Sequence, residues 1–409
     1  MEFPVLKDFD LNGKRVLLRV DINSPIDPIT REILDDTRLR GHLTTLHALE
    51  GSKVAILAHQ SRPGLRDFTT LEMHAKRMEE LIGRQVRYVR DIFGESVKDE
   101  ISNLRDGEVL MLENVRFSSE EISSDVTEMS PEKQASTNLV QRLSSYVDFY
   151  VNDAFAVSHR NHPSIVGFPM VLPCCAGKLM EKEVTMLSKV LNSDERPKVF
   201  SFGGAKARDS IRIIEKVLSR GIADVVLISG LAANIFLMAQ GFDLGATNKQ
   251  IIADKKLEGL IPAAHRLINE YSDRIKIPLD LAFQKNSTRV ETSVEKLPDR
   301  RILDLGIETI AFYTTILKDA KMVVANGPSG VFELHPFALG TEELLSAMAH
   351  SNAYSVIGGG HLAAIAQSIN LSNDMSYVST GGKATMAFLA RDKLPGIEVL
   401  KKRSQEAIL

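Results

Sequence analysis

Cysteine is scarce in this chain: its 409 residues contain two, Cys174 and Cys175, and they are neighbours. Consecutive Cα atoms lie about 3.8 Å apart across a trans peptide, closer than ordinary disulfide geometry allows. No structural disulfide is expected, which fits a reducing compartment. Long apolar runs are lacking as well. The most apolar long window, Val225 to Ala239, is broken by Ser229, Gly230 and Asn234 and is too short to span a bilayer. The first residues show no basic start followed by an apolar core, so no secretory leader is expected. Nor does either sign of charge dominate. With 50 Lys and Arg against 53 Asp and Glu the net charge is -3, which points to neither nucleic acid nor a membrane surface as partner and leaves room for a local basic pocket. Together these absences lead to the expectation of a soluble, cytoplasmic protein.

The length does carry information. A chain of 409 residues exceeds the roughly 250 to 300 at which single cores stop growing, so two domains are expected. The first half repeats one theme, a short β-branched run that ends in polar residues and leads into a helical pattern. Val16 to Val20 runs into Asp21 and Asn23; Val54 to Leu57 into His59 and Arg62; Val109 to Leu112 into Arg116; Phe149 to Val151 into Asn152, Asp153 and then His159 and Arg160. Alternating strands and helices imply a parallel sheet with right-handed crossovers, and ligands gather beyond the carboxyl ends of such strands. Asp21, Asn23, His59, Arg62, Arg116 and Arg160 should therefore share one edge, joined by Arg38 from the helix-start signal Asp36-Thr37-Arg38. Guanidinium forks beside hydrogen-bonding side chains suit a small ligand bearing carboxylate and phosphate. His59 and His159 lack ligand-spaced carboxylate or cysteine partners, so they read as hydrogen-bonding groups rather than metal ligands. The acidic stretch from Ser118 to Ser136 reads as a solvated excursion.

Gly167, Pro169, Pro173 and Gly177 mark a boundary. Beyond it, Met180, Val184, Leu187 and Leu191 recur at helical spacing and predict an amphipathic helix over Lys178 to Leu191. The second half then repeats the strand-turn-helix unit with glycine in place of arginine at the turns. These turns are Gly203 to Lys206, Ser229-Gly230, Asn326 to Gly330, Gly358 to Gly360, and Ser379 to Lys383. A run from Ile275 to Asp280 contains Pro278 and belongs at an edge or a strand end. Glycine turns opening helices expose backbone N-H groups to an anion, and five of them predict a nucleotide phosphate site. One of them, Gly358-x-Gly360-x-x-Ala363, also fits the loose dinucleotide fingerprint. That reading expects an acidic residue ending the next strand, which instead ends in Thr380, Gly381 and Gly382. A Walker P-loop fails too, because Tyr377 holds the earlier glycine position and Ala384 the Ser/Thr position.

The pieces Arg19 to Pro25, His59 to Pro63, Leu112 to Phe117, Val151 to Phe155 with His159-Arg160, Gly203 to Lys206, Asn326 to Glu333, Gly358 to Gly360 and Ser379 to Gly382 occur in one order, with Leu394-Pro395-Gly396 near the end. In this pattern the chain resembles the phosphoglycerate kinase family over nearly its full length, with features of the archaeal branch. The resemblance implies two Rossmann-like three-layer α/β domains with parallel sheets, joined by an interdomain helix and facing each other across a cleft. It implies a phosphoglycerate-binding domain over 1-172, a linker and interdomain helix over 173-194, a nucleotide-binding domain over 195-390, and a tail over 391-409 that returns to the first domain. The implied reaction is reversible phosphoryl transfer between 1,3-bisphosphoglycerate and ADP, giving 3-phosphoglycerate and ATP, with Mg²⁺ and without a covalent enzyme intermediate. A monomer is the state the family favours.

By matched motif, Asp21, Asn23, Arg38, His59, Arg62, Arg116 and Arg160 would hold the glycerate. Gly203, Gly204, Lys206, Gly230, Asn326, Gly327, Glu333, Gly358, Gly359, Gly360, His361 and Leu362 would hold the nucleotide, with Glu333 on the ribose. Arg38 and Lys206, helped by backbone N-H groups near Gly360 and Gly382, would stabilise the transferring phosphoryl group. Three positions depart from the common pattern: Ser210 where a second lysine is frequent, His361-Leu362 where Asp-Thr is frequent, and Lys383 where a third glycine is frequent. The first two are the archaeal features. The loss of a carboxylate at 361 leaves the magnesium ligands unassigned, since histidine is a poor ligand for Mg²⁺. The competing reading is a non-catalytic adenine-nucleotide-binding protein of the same fold. It would keep the glycine turns without needing the glycerate residues, all of which are present.

Overall fold

A computed structural model describes residues 2–406, with side chains described through residue 402. The chain divides into two compact units. One comprises the chain up to Thr185 together with the segment from Lys393 onward, and the other runs from Met186 to Asp392.

The first unit is built on six parallel strands: β1 (Arg15–Arg19), β2 (Lys53–Leu57), β3 (Val86–Tyr88), β4 (Val109–Met111), β5 (Phe149–Asn152) and β6 (Cys174–Ala176), ordered β3-β4-β2-β1-β5-β6. Val16, Leu17 and Leu18 on β1 are all fully buried, as expected of a strand covered on both faces. Strand β6 lies inside the stretch read from sequence as linker, and it carries both cysteines, which are free and buried. The helix Pro395–Glu406 packs against this unit: Gly396 N donates to Ser158 O at 2.9 Å, and Val399 joins Ala154, Val157, Ile165 and Val166 in a small apolar cluster.

The second unit holds another parallel sheet, formed by β7 (Lys198–Phe202), β8 (Val225–Ile228), β9 (Ile275–Lys276), β13 (Met322–Asn326), β14 (Tyr354–Gly358) and β15 (Tyr377–Ser379), in the order β15-β14-β13-β7-β8-β9. The run with Pro278 does supply an edge strand, β9, but only its first two residues pair. From Asp280 the chain enters a separate antiparallel sheet, β11-β10-β12, made of β10 (Asp280–Lys285), β11 (Thr288–Ser293) and β12 (Ile302–Leu305). No sequence signal anticipated that sheet, because its outer strand β11 lacks an apolar face: Thr288, Arg289, Glu291 and Thr292 fill it.

The helix predicted from Lys178 forms over Lys178–Asn192, and the division between the units falls within it. Met180, Val184, Leu187 and Val190 are buried along it. Its last carbonyls are capped by the buried Lys198, whose Nζ donates to Val190 O at 2.7 Å and Ser193 O at 2.6 Å. A cation at a helix C-terminus is favoured by the helix dipole. Among the described residues, no helix is long and apolar enough to cross a membrane.

The helix Ile307–Asp319 starts on the buried Asp280, whose carboxylate accepts Thr309 N at 2.8 Å, Glu308 N at 3.1 Å and Thr309 Oγ1 at 2.6 Å. Asp280→Ala leaves these donors unpaired, and it should destabilise the second unit by about 2 kcal/mol, the upper range for a lost N-terminal cap. Denaturant unfolding followed in the second unit would measure it.

Candidate active site

At the carboxyl ends of the first sheet, a cluster of cations surrounds one carboxylate. Asp21 follows β1 and is buried, 3% exposed. Burial pushes its carboxyl up, but the paired Arg38 and further positive neighbours outweigh this and hold it well below the usual carboxylate range. Arg38 stands on the short helix Thr37–Gly41, with its side chain one-third exposed. Asn23 bridges two loops, since its N-H donates to Asp21 Oδ1 at 3.1 Å and its Oδ1 accepts Ser61 N at 2.7 Å. Arg116 is buried and donates to the carbonyl of Ser61. Burial, with Arg160 and Arg19 close by, lowers its pKa to about 10. Arg160 is lowered for the same first reason, and its Nε is a buried donor without a hydrogen-bond partner among the described residues. Arg62 is exposed on the loop after β2.

Two residues outside the sequence prediction complete this cluster. Arg19, the last residue of β1, is 2% exposed, and its guanidinium donates to Ser164 Oγ at 3.0 Å and to His59 Nδ1 at 3.3 Å. A guanidinium has no acceptor, so Nδ1 of His59 must accept and the ring proton resides on Nε2. Burial, reinforced by Arg19, Arg116 and Arg160, drives the His59 pKa well below its ordinary value. His59 is therefore a neutral N-H donor. Glu121 is the second, 1% exposed, accepting from Ser164 N at 3.0 Å, Ser164 Oγ at 2.7 Å and His162 Nδ1 at 3.3 Å. It corrects the reading of Ser118 to Ser136 as a solvated excursion. Glu121, Gln134 and Ala135 are buried there, and Glu121 gives the cationic cluster a counter-charge that linear sequence does not reveal.

The supporting loops are fastened by side chains from neighbouring motifs. Gln60 accepts Ser24 N at 3.0 Å and donates to Ser24 O at 2.9 Å. Asn114 holds Gln60 O at 2.9 Å and Thr69 O at 2.8 Å.

In the second unit a cavity of about 290 Å³ opens at the ends of β7, β13, β14 and β15. Gly203, Gly204, Lys206, Asn326, Gly327, Gly359, Gly360, His361, Leu362 and Gly382 line it, together with Asp209, Ser210 and Lys383. Three other predicted residues stand apart. Gly358 ends β14 in register with Asn326 and Ser379. Gly230 lies behind the wall, at φ +57°, where a Cβ would come within 2.6 Å of Gly204 N, so its lack of a side chain lets the first helix turn buttress the Gly203-Gly204 turn. Glu333 is exposed on the turn after β13, outside the cavity lining. The turns interlock through the backbone: Gly203 N donates to Asn326 O at 2.9 Å and Gly204 N to Pro328 O at 2.7 Å.

The three departures all line this cavity. Ser210 is buried in the helix Ala207–Ser219. His361 sits in the first turn of the helix Gly360–Ser368, and its ring lies 5.8 Å from that of Phe332. Lys383 Nζ lies 3.5 Å from Asp209 Oδ1, an exposed pair. Among the described residues, no three His, Cys, Asp or Glu side chains gather as a metal cage. A single carboxylate, Asp209, beside a wall of glycine turns and helix starts nevertheless suits Mg²⁺, which keeps its water and binds through one or two carboxylates plus substrate phosphates.

The family profile described as phosphoglycerate kinase matches residues 6–392. Phosphoglycerate kinase of Methanothermus fervidus is 49% identical over 412 residues, covering 100% of both chains. That of Methanococcus maripaludis is 49% identical, covering 98% of each. Among solved structures, phosphoglycerate kinase from Pyrococcus horikoshii OT3 superposes with a TM-score of 0.92 at 40% identity, covering 98% of this chain and 99% of that one. The enzyme from Coxiella burnetii gives 0.80 at 30% identity with the same coverage.

Two buried histidines, His59 and His74, set an acid sensitivity. The unfolded chain takes up a proton at each near the ordinary value of 6.5, whereas folded His74 does so only at about 4 and folded His59 well below 6.5. The unfolded state binds more protons in this window, so stability should fall as pH drops from about 7 toward 4. In an NMR titration, the His59 ring should show no protonation between pH 8 and 5.5.

Proposed function

The chain belongs to the phosphoglycerate kinase family, and from that premise we propose how its residues carry the family's reaction. The enzyme transfers a phosphoryl group reversibly between 1,3-bisphosphoglycerate and ADP, giving 3-phosphoglycerate and ATP, a step of glycolysis and gluconeogenesis. Members of the family use ADP or ATP with Mg²⁺. The observation that carries our assignment of the glycerate site is the gathering of Arg19, Arg38, Arg116 and Arg160 with His59 around Asp21. A protein that bound only a nucleotide would have no use for so costly a cluster of desolvated like charges.

In this reading Arg62, Arg116, Arg160 and the Nε2-H of neutral His59 take the carboxylate and phosphate of the glycerate. Asn23 adds a hydrogen bond, and Asp21, an acceptor-only group, takes its hydroxyl. The nucleotide phosphates lie on the backbone of Gly203, Gly204 and Gly359 to Leu362, where helix N-termini favour negative charge. Gly230 and Gly358 shape that wall, Asn326 and Gly327 border it, and Glu333 reaches the ribose when nucleotide is bound.

Phosphoryl transfer leaves little covalent work to the protein, so rate comes from alignment and from cancelling charge on the three equatorial oxygens. Arg38 and Lys206 supply that charge, with backbone N-H groups of Gly360 and Gly382 beside them. Mg²⁺, held by the nucleotide phosphates, water and Asp209, would neutralise phosphate charge when bound. Lys383, paired with Asp209, supplies the cation that Ser210 lacks. Direct transfer between groups held on two units requires those units to come together in the reactive complex, and the helix Lys178–Asn192 is the hinge we assign to that closure.

ATP formation from ADP and 1,3-bisphosphoglycerate tests the whole reading. Arg38→Ala and Lys206→Ala should each lower kcat by roughly 10²- to 10³-fold, the loss seen when one donor to a developing anion is removed. Nucleotide binding without turnover in the unaltered enzyme would overturn the catalytic reading. Lys383→Ala should lower turnover about tenfold, on the order of one lost charge contact near the transferring group, and Asp209→Asn should raise the magnesium concentration needed for half-maximal activity. Unchanged values would remove those two residues from the mechanism.

A further inference from the structure

His42 is absent from every motif that identifies the site, yet it is 1% exposed and sits at the centre of a continuous buried hydrogen-bond chain. It ends the short helix Thr37–Gly41 that carries Arg38. Its Nδ1 lies 2.7 Å from Asp153 Oδ2, and because that carboxylate only accepts, Nδ1 carries a proton. Its Nε2 lies 3.1 Å from both the N-H and the carbonyl oxygen of Asp21, so one ring edge holds the backbone of the residue that pairs with Arg38.

The other end of the chain reaches a different element. Asp153 is fully buried, and its Oδ1 accepts Leu179 N at 2.9 Å and Met180 N at 3.2 Å, two of the free N-H groups that open the helix Lys178–Asn192. Thr45 Oγ1 donates to Asp153 Oδ2 at 2.7 Å and accepts Lys178 N at 2.9 Å, so the first three N-H groups of the helix are all held by two side chains in contact with each other, Thr45 on the helix Leu43–Ala48 and Asp153 just after β5. Gly177 leaves room for this arrangement, since a Cβ there would fall 2.2 Å from Asp153 Oδ1. His42, Thr45 and Asp153 are all buried, so water cannot replace a lost bond, and each bond is strengthened by its low-dielectric surroundings.

We propose that His42 is a positioning residue of the phosphoryl-transfer reaction: it fixes the backbone beneath the Asp21-Arg38 pair and links that pair, through Asp153, to the first turn of the helix that joins the two units. The proposal rests on the reading of Asp21 and Arg38 as glycerate-site residues. A rigid imidazole with one edge on Asp21 and the other on the helix cap makes the two ends move together. Engagement of Asp21 and Arg38 by the glycerate is then felt at Leu179 and Met180 without the ligand touching either.

The test uses the full chain with 3-phosphoglycerate. In the unaltered enzyme, ligand binding should slow hydrogen exchange at the Leu179 and Met180 amides. His42→Asn keeps a donor at the Nδ1 position and loses the Asp21 contact. It should raise the KM for 3-phosphoglycerate about tenfold, the factor associated with one buried hydrogen bond, leave the KM for ATP unchanged, and abolish the ligand-dependent protection. His42→Gln places an amide at the Nε2 position and gives up the Asp153 bond. It should hold the KM for 3-phosphoglycerate near that of the unaltered enzyme while still losing the protection. A merely structural histidine would lower the melting temperature in both variants and leave ligand-dependent protection intact, and that result overturns the proposal. Arg38→Ala separates the two layers of inference. Unchanged affinity for 3-phosphoglycerate in that variant overturns both the glycerate-site reading and the link. Lost affinity there, with normal protection in both His42 variants, overturns the link alone.

Discussion

The cost of gathering positive charge away from water governs the first unit. Burial weakens the hold of Arg116 and Arg160 on their protons, Arg19 adds its repulsion to both, and Asp21 and Glu121 stand among them as buried anions that offset it. Those two carboxylates do not exhaust the positive charge. In our reading the remainder is available to a ligand with carboxylate and phosphate groups, which is supported by Arg160 Nε, a buried donor without a protein partner among the described residues. The sheet order brings these groups together, since β1, β2, β4 and β5 are adjacent and all end on one edge. The loops beyond them are then fastened by Gln60, Asn114 and Asn23, so the arrangement is set before a ligand arrives.

The second unit solves a related problem by different means. Its cavity is walled largely by glycine turns and helix starts, and in our reading recognition there falls to backbone N-H groups rather than to buried guanidinium groups. Backbone donors carry partial charges and repel one another little, so this wall needs no buried counter-ions. The charged side chains there, Lys206, Asp209 and Lys383, remain partly or fully exposed. A surface ion pair such as Lys383 with Asp209 contributes little to stability and is easily exchanged for contacts to a bound phosphate.

Much of this was legible in the sequence because parallel-sheet topology converts linear order into location. The ends of β1, β2, β4 and β5 could be named from short β-branched runs, and Asp21, His59, Arg116 and Arg160 lie near one another beyond them, while Arg62 stands exposed on its loop. Arg19 was hidden by its position inside the apolar run of β1, although a charged residue in a strand buried on both faces is itself a signal. Glu121 carried no such mark, because an acidic residue in an acidic stretch looks solvated until the fold shows what it faces. The link between His42 and Asp153 was obscure for another reason: it is a contact across 111 residues of sequence, and His42 belongs to no local pattern. Strands β3 and β6 read Val-Arg-Tyr and Cys-Cys-Ala, neither of which forms the β-branched apolar run that marked their neighbours.

The packing of Pro395–Glu406 against the first unit has a consequence for how the polypeptide is made. The second unit is one uninterrupted stretch, so all of its strands are translated before this helix is. The first unit is begun earlier and finished later: the small apolar cluster of Ala154, Val157, Ile165 and Val166 stays uncovered until Val399 arrives. Translation proceeds at about 5 to 20 residues per second, so more than two hundred intervening residues impose a wait on the order of ten seconds or longer. The unit that starts first is thus the last to close, and the helix Pro395–Glu406 serves as its seal.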